Sequence, residues 1–404
     1  MNCSVPTIEF FRFEELIMGT FTHFDLKLIK PDFDSHLLDS VIELDGLRNK
    51  ILFGTTKPFM FFQLKDIFHL LESLGSARIE GNNTTIAEIV ESKIDDSHNE
   101  KSSLKEIQNL RNAIDYIDDS IDDSPISNVF IRELHKTAVE NLPTPPQGEG
   151  DLTPGKYRTY KVEIQKSEHQ PPELETQVKA YIDELVQFIN TDHPPKYDLI
   201  KTALVHHRFM WIHPFGNGNG RTGRLLTYAM LVKQGFNIKK GRLINPTAIF
   251  CLDRNLYNSM LSEADKGTIE GLTTWCEFVL SGFKTEIEKI DKLLDYSFFK
   301  EEIVIPSLKI SLERGLITAV EENILRTTVN SDSQTIMNGD IKKHILKDKS
   351  PQQISNVIKG LIDKKMLAPL KKSPRKYFLR FDNNYLLRGV IQMLEAKDFL
   401  PVKD

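Results

Sequence analysis

The sequence has little cysteine and little tryptophan, and it has no long apolar run. Its 404 residues include three cysteines and two tryptophans. Cys3, Cys251 and Cys276 are odd in number and are never spaced as CxxC, which argues against a disulfide framework and a zinc site. No apolar stretch approaches the roughly 20 residues that a membrane-spanning helix needs. We therefore expect no membrane association.

The N-terminus lacks the pattern of a secretory signal, a basic segment followed by an apolar one. This absence leads us to expect a cytoplasmic protein. The charged fraction of 27% and the apolar fraction of 40% are typical of a soluble globular chain. The length predicts two or three domains, because a single small core would not organise so many residues.

Charge is distributed unevenly along the chain. Between Asp340 and Arg380 there are twelve Lys/Arg and three Asp/Glu, a local excess of +9 in a chain whose net charge is −5. The rest of the chain therefore carries about −14. We interpret the basic block as a distinct C-terminal module.

The most informative stretch is His213–Arg224, which reads HPFGNGNGRTGR. Glycines at 216, 218 and 220 allow positive φ, so that backbone N–H groups can turn inward to form an anion-binding concavity. The following RLLTYAMLVKQG is apolar and closed by Gly235, as in a buried helix. The stretch thus predicts a phosphate site at a helix N-terminus, with His213 placed as a base.

Other glycine motifs explain this stretch less well. Gly218–Gly223 fits G-x-G-x-x-G, but no strand precedes it and no acidic residue follows about twenty positions later, as a dinucleotide-binding fold requires. No Lys-Ser/Thr pair follows the glycines, so a Walker loop is also excluded. A purely structural Gly/Asn turn stays open as an alternative, although such a turn would not need two arginines and a histidine.

The stretch resembles the signature of the Fic family, H-x-F-x-(D/N)-G-N-G-R-x-x-R. Every fixed position of that signature is filled, by His213, Phe215, Asn217, Gly218, Asn219, Gly220, Arg221 and Arg224. The resemblance implies transfer of AMP from ATP to a hydroxyl of a target protein, with ATP as substrate and Mg²⁺ as cofactor. It implies that His213 is the catalytic base and that Phe215 is buried beneath the loop.

The resemblance also assigns roles to the other residues of the signature. Asn217 would hold the Mg²⁺, although a neutral amide is a weaker ligand than the Asp of many relatives. Phosphates would be bound by the residues from 218 to 224: Gly218, Asn219, Gly220, Arg221, Thr222, Gly223 and Arg224. Downstream, Asn255 and Tyr257 correspond to a polar and aromatic pair that holds adenine and ribose. A core role for Tyr257 stays open.

Upstream, Ser76-Ala-Arg-Ile-Glu80-Gly81 resembles the inhibitory-helix motif (S/T)-x-x-x-E-(G/N) of many Fic proteins. The resemblance implies that Glu80 pairs with Arg224 and occupies the space of the γ-phosphate. One guanidinium cannot serve a carboxylate and a phosphate bidentately at once. The alternative is an ordinary helix end with Ser76 and Glu80 on a solvated surface.

Tyr157–Gln165 alternates Tyr160, Val162 and Ile164 with charged residues, as in a strand or hairpin with one wet face. It resembles the Fic flap, which pairs with a target segment by strand addition. A plain surface hairpin is the alternative. His206 and His207 precede the signature, but no Glu or Cys at ligand spacing completes a metal site, so we expect structural roles for both.

The C-terminal module is predicted to begin after a break at Pro306. Ser307–Leu325, Gly339–Leu346 and Ser350–Leu367 have helical patterns, and Ala368–Phe381 indicates a two-strand wing with a basic tip. This order is similar to a winged-helix domain. Its basic side chains could neutralise DNA phosphates or form a solvated face for protein contact: Lys359, Lys364, Lys371, Lys372 and Arg375.

The predicted fold is therefore mainly α: a Fic helical core with a small β-hairpin flap, followed by a winged-helix (α+β) domain. The predicted domains are an N-terminal extension at 1–60, a Fic domain at 61–298, and the winged-helix-like domain at 299–404. Within the Fic domain, we place the inhibitory helix near 65–81 and the flap near 152–166.

The predicted function is that of a self-inhibited protein adenylyltransferase that also modifies itself. Two alternatives stay open, a DNA-binding transcriptional regulator whose Fic-like fold senses nucleotide, and an enzyme that removes AMP from proteins. The resemblance also implies a homodimer. The sequence itself shows no heptad or other pattern of a dimer interface.

Overall fold

The structure is a computed structural model that describes residues 21–49, 55–94, 101–122, 124–164, 167–236 and 246–400. Cys3 and much of the predicted N-terminal extension lie outside these ranges. In the described part of the chain the fold is mainly helical, as predicted. None of the helices there combines the length and apolarity that a membrane crossing needs.

The N-terminal and central helices surround the glycine-rich stretch. They are α1 His36–Asn49, α2 Pro58–Ile79, α3 Ile86–Ile94, α4 Ser102–Ser120, α5 Asn128–Ala138, α6 Glu175–Asn190, α7 Asp198–Ile212, α8 Asn219–Lys233, α9 Thr247–Leu252, α10 Arg254–Asp265 and α11 Ile269–Leu294. Helices α7 and α8 pack against each other, and α2, α4 and α5 cover them. Burial of α8 on all sides explains why its sequence is mainly apolar from Leu225 to Val232.

The C-terminal part continues without a break at Pro306. Helix α12 (Tyr296–Phe298) leads through a π-helical stretch, Phe299–Val304, into α13 (Ile305–Glu313). Pro306 has no backbone N–H, and the wider π-helical turn before it accommodates this missing donor. The predicted break at Pro306 is therefore wrong, and the division of the chain into three domains stays a prediction.

The remaining elements are four helices and one hairpin. They are α14 Ala319–Asn330, α15 Asn338–His344, α16 Pro351–Asp363, β1 Leu367–Leu370, β2 Ser373–Leu379 and α17 Leu386–Ala396. The strands pair antiparallel, with Leu367 opposite Leu379, and an isolated bridge joins Ile336 to Tyr377. Ser350 caps α16 by accepting a hydrogen bond from Gln353 N–H. Helices followed by a hairpin match the order predicted for this module, and its assignment as a winged helix stays a prediction.

Candidate active site

His213 lies where α7 ends and the glycine-rich loop begins. Its backbone is left-handed, with φ 49° and ψ 59°, and its N–H donates to Phe209 O at 3.1 Å. A residue other than glycine is uncommon in this conformation and needs support from its surroundings. The left-handed turn directs the chain away from α7 and into the loop.

Arg158 supplies that support, and sequence reasoning missed it. Its guanidinium donates to four backbone carbonyls: His213 O at 2.7 Å, Tyr160 O at 2.9 Å, Pro172 O at 2.7 Å and Ile212 O at 3.3 Å. Its own N–H donates to Pro214 O at 2.9 Å. The side chain is buried, and burial lowers the pKa of Arg158 to about 10. A planar fork with five donors suits this junction better than a lysine would.

We expect Arg158→Lys to disturb the His213 turn. An ammonium has three donors and cannot reach these carbonyls in one plane, so buried acceptors lose partners at about 1–3 kcal/mol each. The free energy of unfolding should fall by about that amount, and the nucleotide transfer that the signature implies should fall by about tenfold or more. Thermal melting and nucleotide-transfer rates measure the two effects. Lys179→Arg, at an exposed position on α6, is the matched control. An unchanged transfer rate in Arg158→Lys would contradict this role.

The His213 ring has one nitrogen held by the backbone and one left free. Nδ1 lies 3.3 Å from Met210 O and can only donate to that carbonyl, which leaves Nε2 unprotonated. Burial lowers the pKa of His213 to about 4, and the charge of Arg158 adds to this effect. The imidazole is therefore neutral and able to accept a proton near pH 7.

The loop rests on a second histidine that the sequence did not single out. His135 stacks on Phe215 with ring centroids 3.7 Å apart and planes 3° apart. Its Nδ1 accepts from Gly155 N–H at 2.9 Å, so Nε2 carries the proton that it donates to Asn217 O at 3.0 Å. Burial lowers the pKa of His135 to about 4 and keeps it neutral. Phe215 is fully buried beneath the loop, as expected.

The glycines fit the loop for two different reasons. Gly218 has φ 76° and is the N-cap of α8, a conformation that disfavours side chains. At Gly220, an added Cβ would overlap Glu80 Oε1 and lie 3.0 Å from Arg224 Nη1. Asn219 closes the turn, because its side chain accepts from Phe215 N–H and donates to Phe215 O, both at 2.9 Å. The first amides of α8 therefore face an open space next to Arg224.

Arg224 is held by the end of α2. Its Nε donates to Ser76 Oγ at 2.9 Å, and its Nη2 donates to Ser76 O at 2.9 Å and to Glu80 Oε1 at 2.6 Å. Burial opposes the charge on Glu80, but Arg224 and Arg221 outweigh it and keep the pKa of Glu80 below its usual value. The structure thus places Ser76, Glu80 and Arg224 together, and Glu80 is not on a solvated surface.

Arg221 points elsewhere. It is fully buried, and it donates to Glu106 Oε1 at 2.8 Å and to Glu149 O at 2.7 Å. It does not line the open space, in contrast to the role predicted for it. Its partner Glu106 lies on α4, and the sequence did not indicate this pairing.

A cavity of 450 Å³ opens above the loop. It is lined by His213, Glu80 and five further residues of the signature: Asn217, Gly218, Asn219, Gly220 and Arg224. Thr222 and Gly223 do not line it. The Thr222 hydroxyl donates to Gly218 O at 2.8 Å, and Gly223 allows close packing of α8 on Phe209.

Of the two residues predicted to hold adenine and ribose, one lines the cavity and the other does not. Tyr257 lines the cavity while being buried, with its hydroxyl 2.9 Å from His206 Nε2. Asn255 is exposed and does not line it, because Arg254 and Asn258 occupy the helical face that does. Asn255 lies about 100° around α10 from Arg254.

His206 and His207 have structural partners. His206 Nδ1 lies 2.7 Å from Thr227 Oγ1, and His207 Nε2 lies 2.9 Å from Asp265 Oδ1. The described ranges contain no group of three or more His, Cys, Asp or Glu side chains arranged to hold a metal. The structural interpretation of both histidines therefore agrees with their surroundings.

The predicted flap contains no strand in its described residues, 152–164. The hairpin predicted there stays a prediction, because the sheet of the described residues is formed by β1 and β2. The Arg158 side chain donates to the carbonyls of Tyr160 and Pro172 and so links the chain on the two sides of the predicted flap. Ile164 still lines the cavity, Val162 is half-buried, and Tyr160 packs on Gly216. Residues 165–166 lie outside the described ranges.

Comparisons with known proteins agree with this geometry. Residues 125–231 match the Fic/DOC family. The chain is 31% identical over 202 residues to "Protein adenylyltransferase Fic" of Nematostella vectensis, covering 48% of this chain and 43% of that protein. It is 30% identical over 215 residues to the protein of the same name from Drosophila willistoni, covering 50% and 37%. The chain thus spans less than half the length of these relatives.

One solved structure supports the fold over most of the chain. A Fic family protein from Desulfovibrio desulfuricans G20 aligns with a TM-score of 0.54 at 17% identity, covering 89% of this chain and 98% of that one. At this identity the likeness concerns the fold alone.

Proposed function

We propose that this chain, whose residues 125–231 form a Fic domain, is a protein adenylyltransferase that is held inactive by Glu80. The observation that carries the proposal is the convergence of three features on one cavity. A neutral histidine, a glycine loop at a helix N-terminus and a buried arginine all line it. Such a site can bind a nucleoside triphosphate and remove a proton from an incoming hydroxyl.

The reaction follows from the placement of these groups. A Tyr, Ser or Thr hydroxyl of the target gives its proton to Nε2 of His213 while its oxygen bonds to the α-phosphorus of ATP. The bond from that phosphorus to the β-phosphate bridging oxygen breaks, and pyrophosphate leaves. The α8 N-terminal amides stabilise charge on the phosphates, because their donors are already oriented. The product is a phosphodiester that joins AMP to the protein.

The residues around Asn217 fit a hard cation such as Mg²⁺. The Asn217 side-chain amide donates to Gly150 O at 3.1 Å and to Glu149 Oε2 at 3.4 Å, which leaves Oδ1 as an acceptor. Asn217 Oδ1 and the Glu149 carboxylate would hold Mg²⁺ with the nucleotide phosphates, which matches its preference for few protein ligands. The ion would neutralise charge on the departing pyrophosphate.

Glu80 blocks productive binding in this proposal. Arg224 is the cavity's buried cation, and Glu80 Oε1 lies 2.6 Å from its Nη2. A γ-phosphate can engage the same guanidinium only after that contact breaks. ATP therefore binds in a pose that is poorly aligned for attack while Glu80 is in place.

The experiment that tests the proposed function compares ATP labelled on the α- or the γ-phosphate. Label should enter protein from α-labelled ATP only, and it should include self-labelling of this chain. Entry of the γ-label would indicate a kinase and would contradict the proposal. Loss of AMP from a pre-modified protein, with no addition, would favour the reverse reaction.

The pH dependence of transfer should report the environment of His213. Its pKa is lowered to about 4, so the neutral base persists as pH falls through the range where a solvated histidine becomes charged. In Glu80→Gly, kcat/KM should change by less than about twofold from pH 8 to pH 6 and should fall tenfold per unit only below about pH 4. A half-maximal point at a usual histidine pKa would contradict the buried base.

The DNA-binding alternative rests on the C-terminal module. Lys359, Lys371, Lys372 and Arg375 are exposed there, whereas Lys364 pairs with Glu321 at 2.6 Å. These exposed cations could contact phosphates, or a protein surface. The ready base at His213 has no use in a passive sensor, which makes transfer the better supported function. Homodimer formation and a cytoplasmic location stay predictions.

A further inference from the structure

The N-terminal end of α2 is joined to the C-terminal module by a buried glutamine. Gln63 Nε2 donates to Leu379 O at 2.9 Å, and its Oε1 accepts from Phe381 N–H at 2.8 Å. The side chain thus pairs with the chain at the end of β2 much as a neighbouring strand would. One turn earlier, Phe59 packs on Phe378 with ring centroids 4.7 Å apart.

A second glutamine fixes the chain just before α2. Gln334, from the loop after α14, accepts from Lys57 N–H at 3.1 Å and donates to Thr55 O at 3.0 Å. Gln63 and Gln334 are both about 95% buried, so their bonds are shielded from water. The module therefore holds both the chain before α2 and the first turns of the helix.

The other end of the same helix carries the block on the active site. Ser76 and Glu80 bind Arg224, and Glu80 lies about 25 Å along the helix from Gln63 at a rise of about 1.5 Å per residue. Between them, the Glu72 carboxylate accepts from Thr247 N–H at 3.1 Å. Thr247 therefore holds the middle of α2, between its two ends.

The module also packs on the segment that follows the block. Helix α17 contacts α3, which begins six residues after Glu80. The block is therefore flanked on both sides by elements that touch the C-terminal module. A rigid helix fixed at one end transmits that constraint to its other end.

We propose that Gln63 is a positioning residue for Glu80, and that the C-terminal module sets the strength of the block by holding α2 at Gln63. This inference rests on the proposed function of Glu80. When the contacts of Gln63 are lost, α2 tilts about Glu72 and the distance from Glu80 to Arg224 increases. The γ-phosphate then gains access to Arg224, although no residue of the cavity has changed.

Gln63→Met tests this inference with little change in side-chain volume. It removes both hydrogen bonds to the hairpin and leaves every catalytic group intact. Self-labelling should rise about fivefold, at the low end of typical couplings between sites, and the Kd for ATP should fall in parallel. In the Glu80→Gly background the same substitution should give no further rise, because the block it weakens is already absent.

Three comparisons make the outcome decisive. Gln108→Met, at an exposed position on α4, should leave labelling unchanged. If Gln63→Met does not fold by thermal melting, Phe378→Leu weakens the same junction and should raise labelling in the same way. A purely structural role would lower labelling in both backgrounds and would overturn the inference, as would wild-type labelling in Gln63→Met. Failure of Glu80→Gly itself to label would refute the proposed function instead.

Discussion

Glu80→Gly should raise AMP transfer by roughly 10- to 100-fold, because a charge-assisted hydrogen bond to a buried partner contributes about 1.5–3 kcal/mol. The substitution frees Arg224 from its carboxylate partner and leaves its hydrogen bonds to Ser76 in place. The γ-phosphate of ATP can take the place of the carboxylate. Initial rates of self-labelling with α-labelled ATP, at saturating Mg²⁺, measure the effect.

Two variants separate charge from general disturbance of α2. Glu80→Gln keeps the side-chain length but removes the charge, so it should give an intermediate rate. Glu91→Ala changes an exposed carboxylate on α3 and should behave like the unaltered chain. Equal labelling in Glu80→Gly and the unaltered chain would show that the Glu80–Arg224 contact does not restrain the reaction.

His213→Ala should lower transfer by about 10²- to 10⁴-fold, the usual contribution of a positioned general base. The comparison belongs in the Glu80→Gly background, where the rate is high enough to measure the loss. ATP binding should survive, because the glycine loop and Arg224 do not depend on the imidazole. Equilibrium binding of ATP and labelling rates, measured on the same protein, distinguish the two steps.

A matched control uses another histidine of the same chain. His193 is half-buried on the loop after α6, where its Nδ1 lies 3.0 Å from Thr191 O. His193→Ala should retain full transfer. If His213→Ala kept more than about a tenth of the rate, another group would have to be the base. Loss of ATP binding in His213→Ala would instead indicate that the left-handed turn at 213 needs the histidine for its shape.

The parts of the site that sequence predicted are those set by local backbone chemistry. Gly218 and Asn219 form the N-terminus of α8 within a short stretch of chain. The pairing of Glu80 with Arg224, in contrast, was predicted only from the resemblance to the inhibitory-helix motif. Composition alone carries no information on that pairing, since 144 residues separate its partners. The mainly helical fold followed from apolar spacing, and the Fic-like core followed from the signature.

The contacts that the sequence did not predict involve side chains whose partners lie far away in the sequence. Arg221 was expected at the phosphates, but Glu106, 115 residues away, takes its guanidinium. Residues 157–164 form no strand in the described part of the chain, and Arg158 donates there to the carbonyls of Tyr160 and Pro172. The alternation of Tyr160, Val162 and Ile164 indicates an extended chain. It does not indicate which groups accept or donate the hydrogen bonds of that chain.

Arg158 and His135 show what a single sequence leaves out. Each is a single polar residue in an unremarkable local pattern, and each becomes recognisable only by the backbone atoms that it holds. Arg158 fixes the turn at His213, and His135 supports Phe215 and Asn217. The base and the loop therefore depend on residues 55 to 82 positions upstream.

The most direct measurement is mass spectrometry of the Glu80→Gly protein after incubation with ATP and Mg²⁺, with His213→Ala in the same background beside it. We expect the mass of one AMP on a Tyr, Ser or Thr side chain in the first protein and none in the second. An equal adduct in both proteins, or a bare phosphate in place of AMP, would contradict a cavity in which His213 activates a hydroxyl toward the α-phosphate.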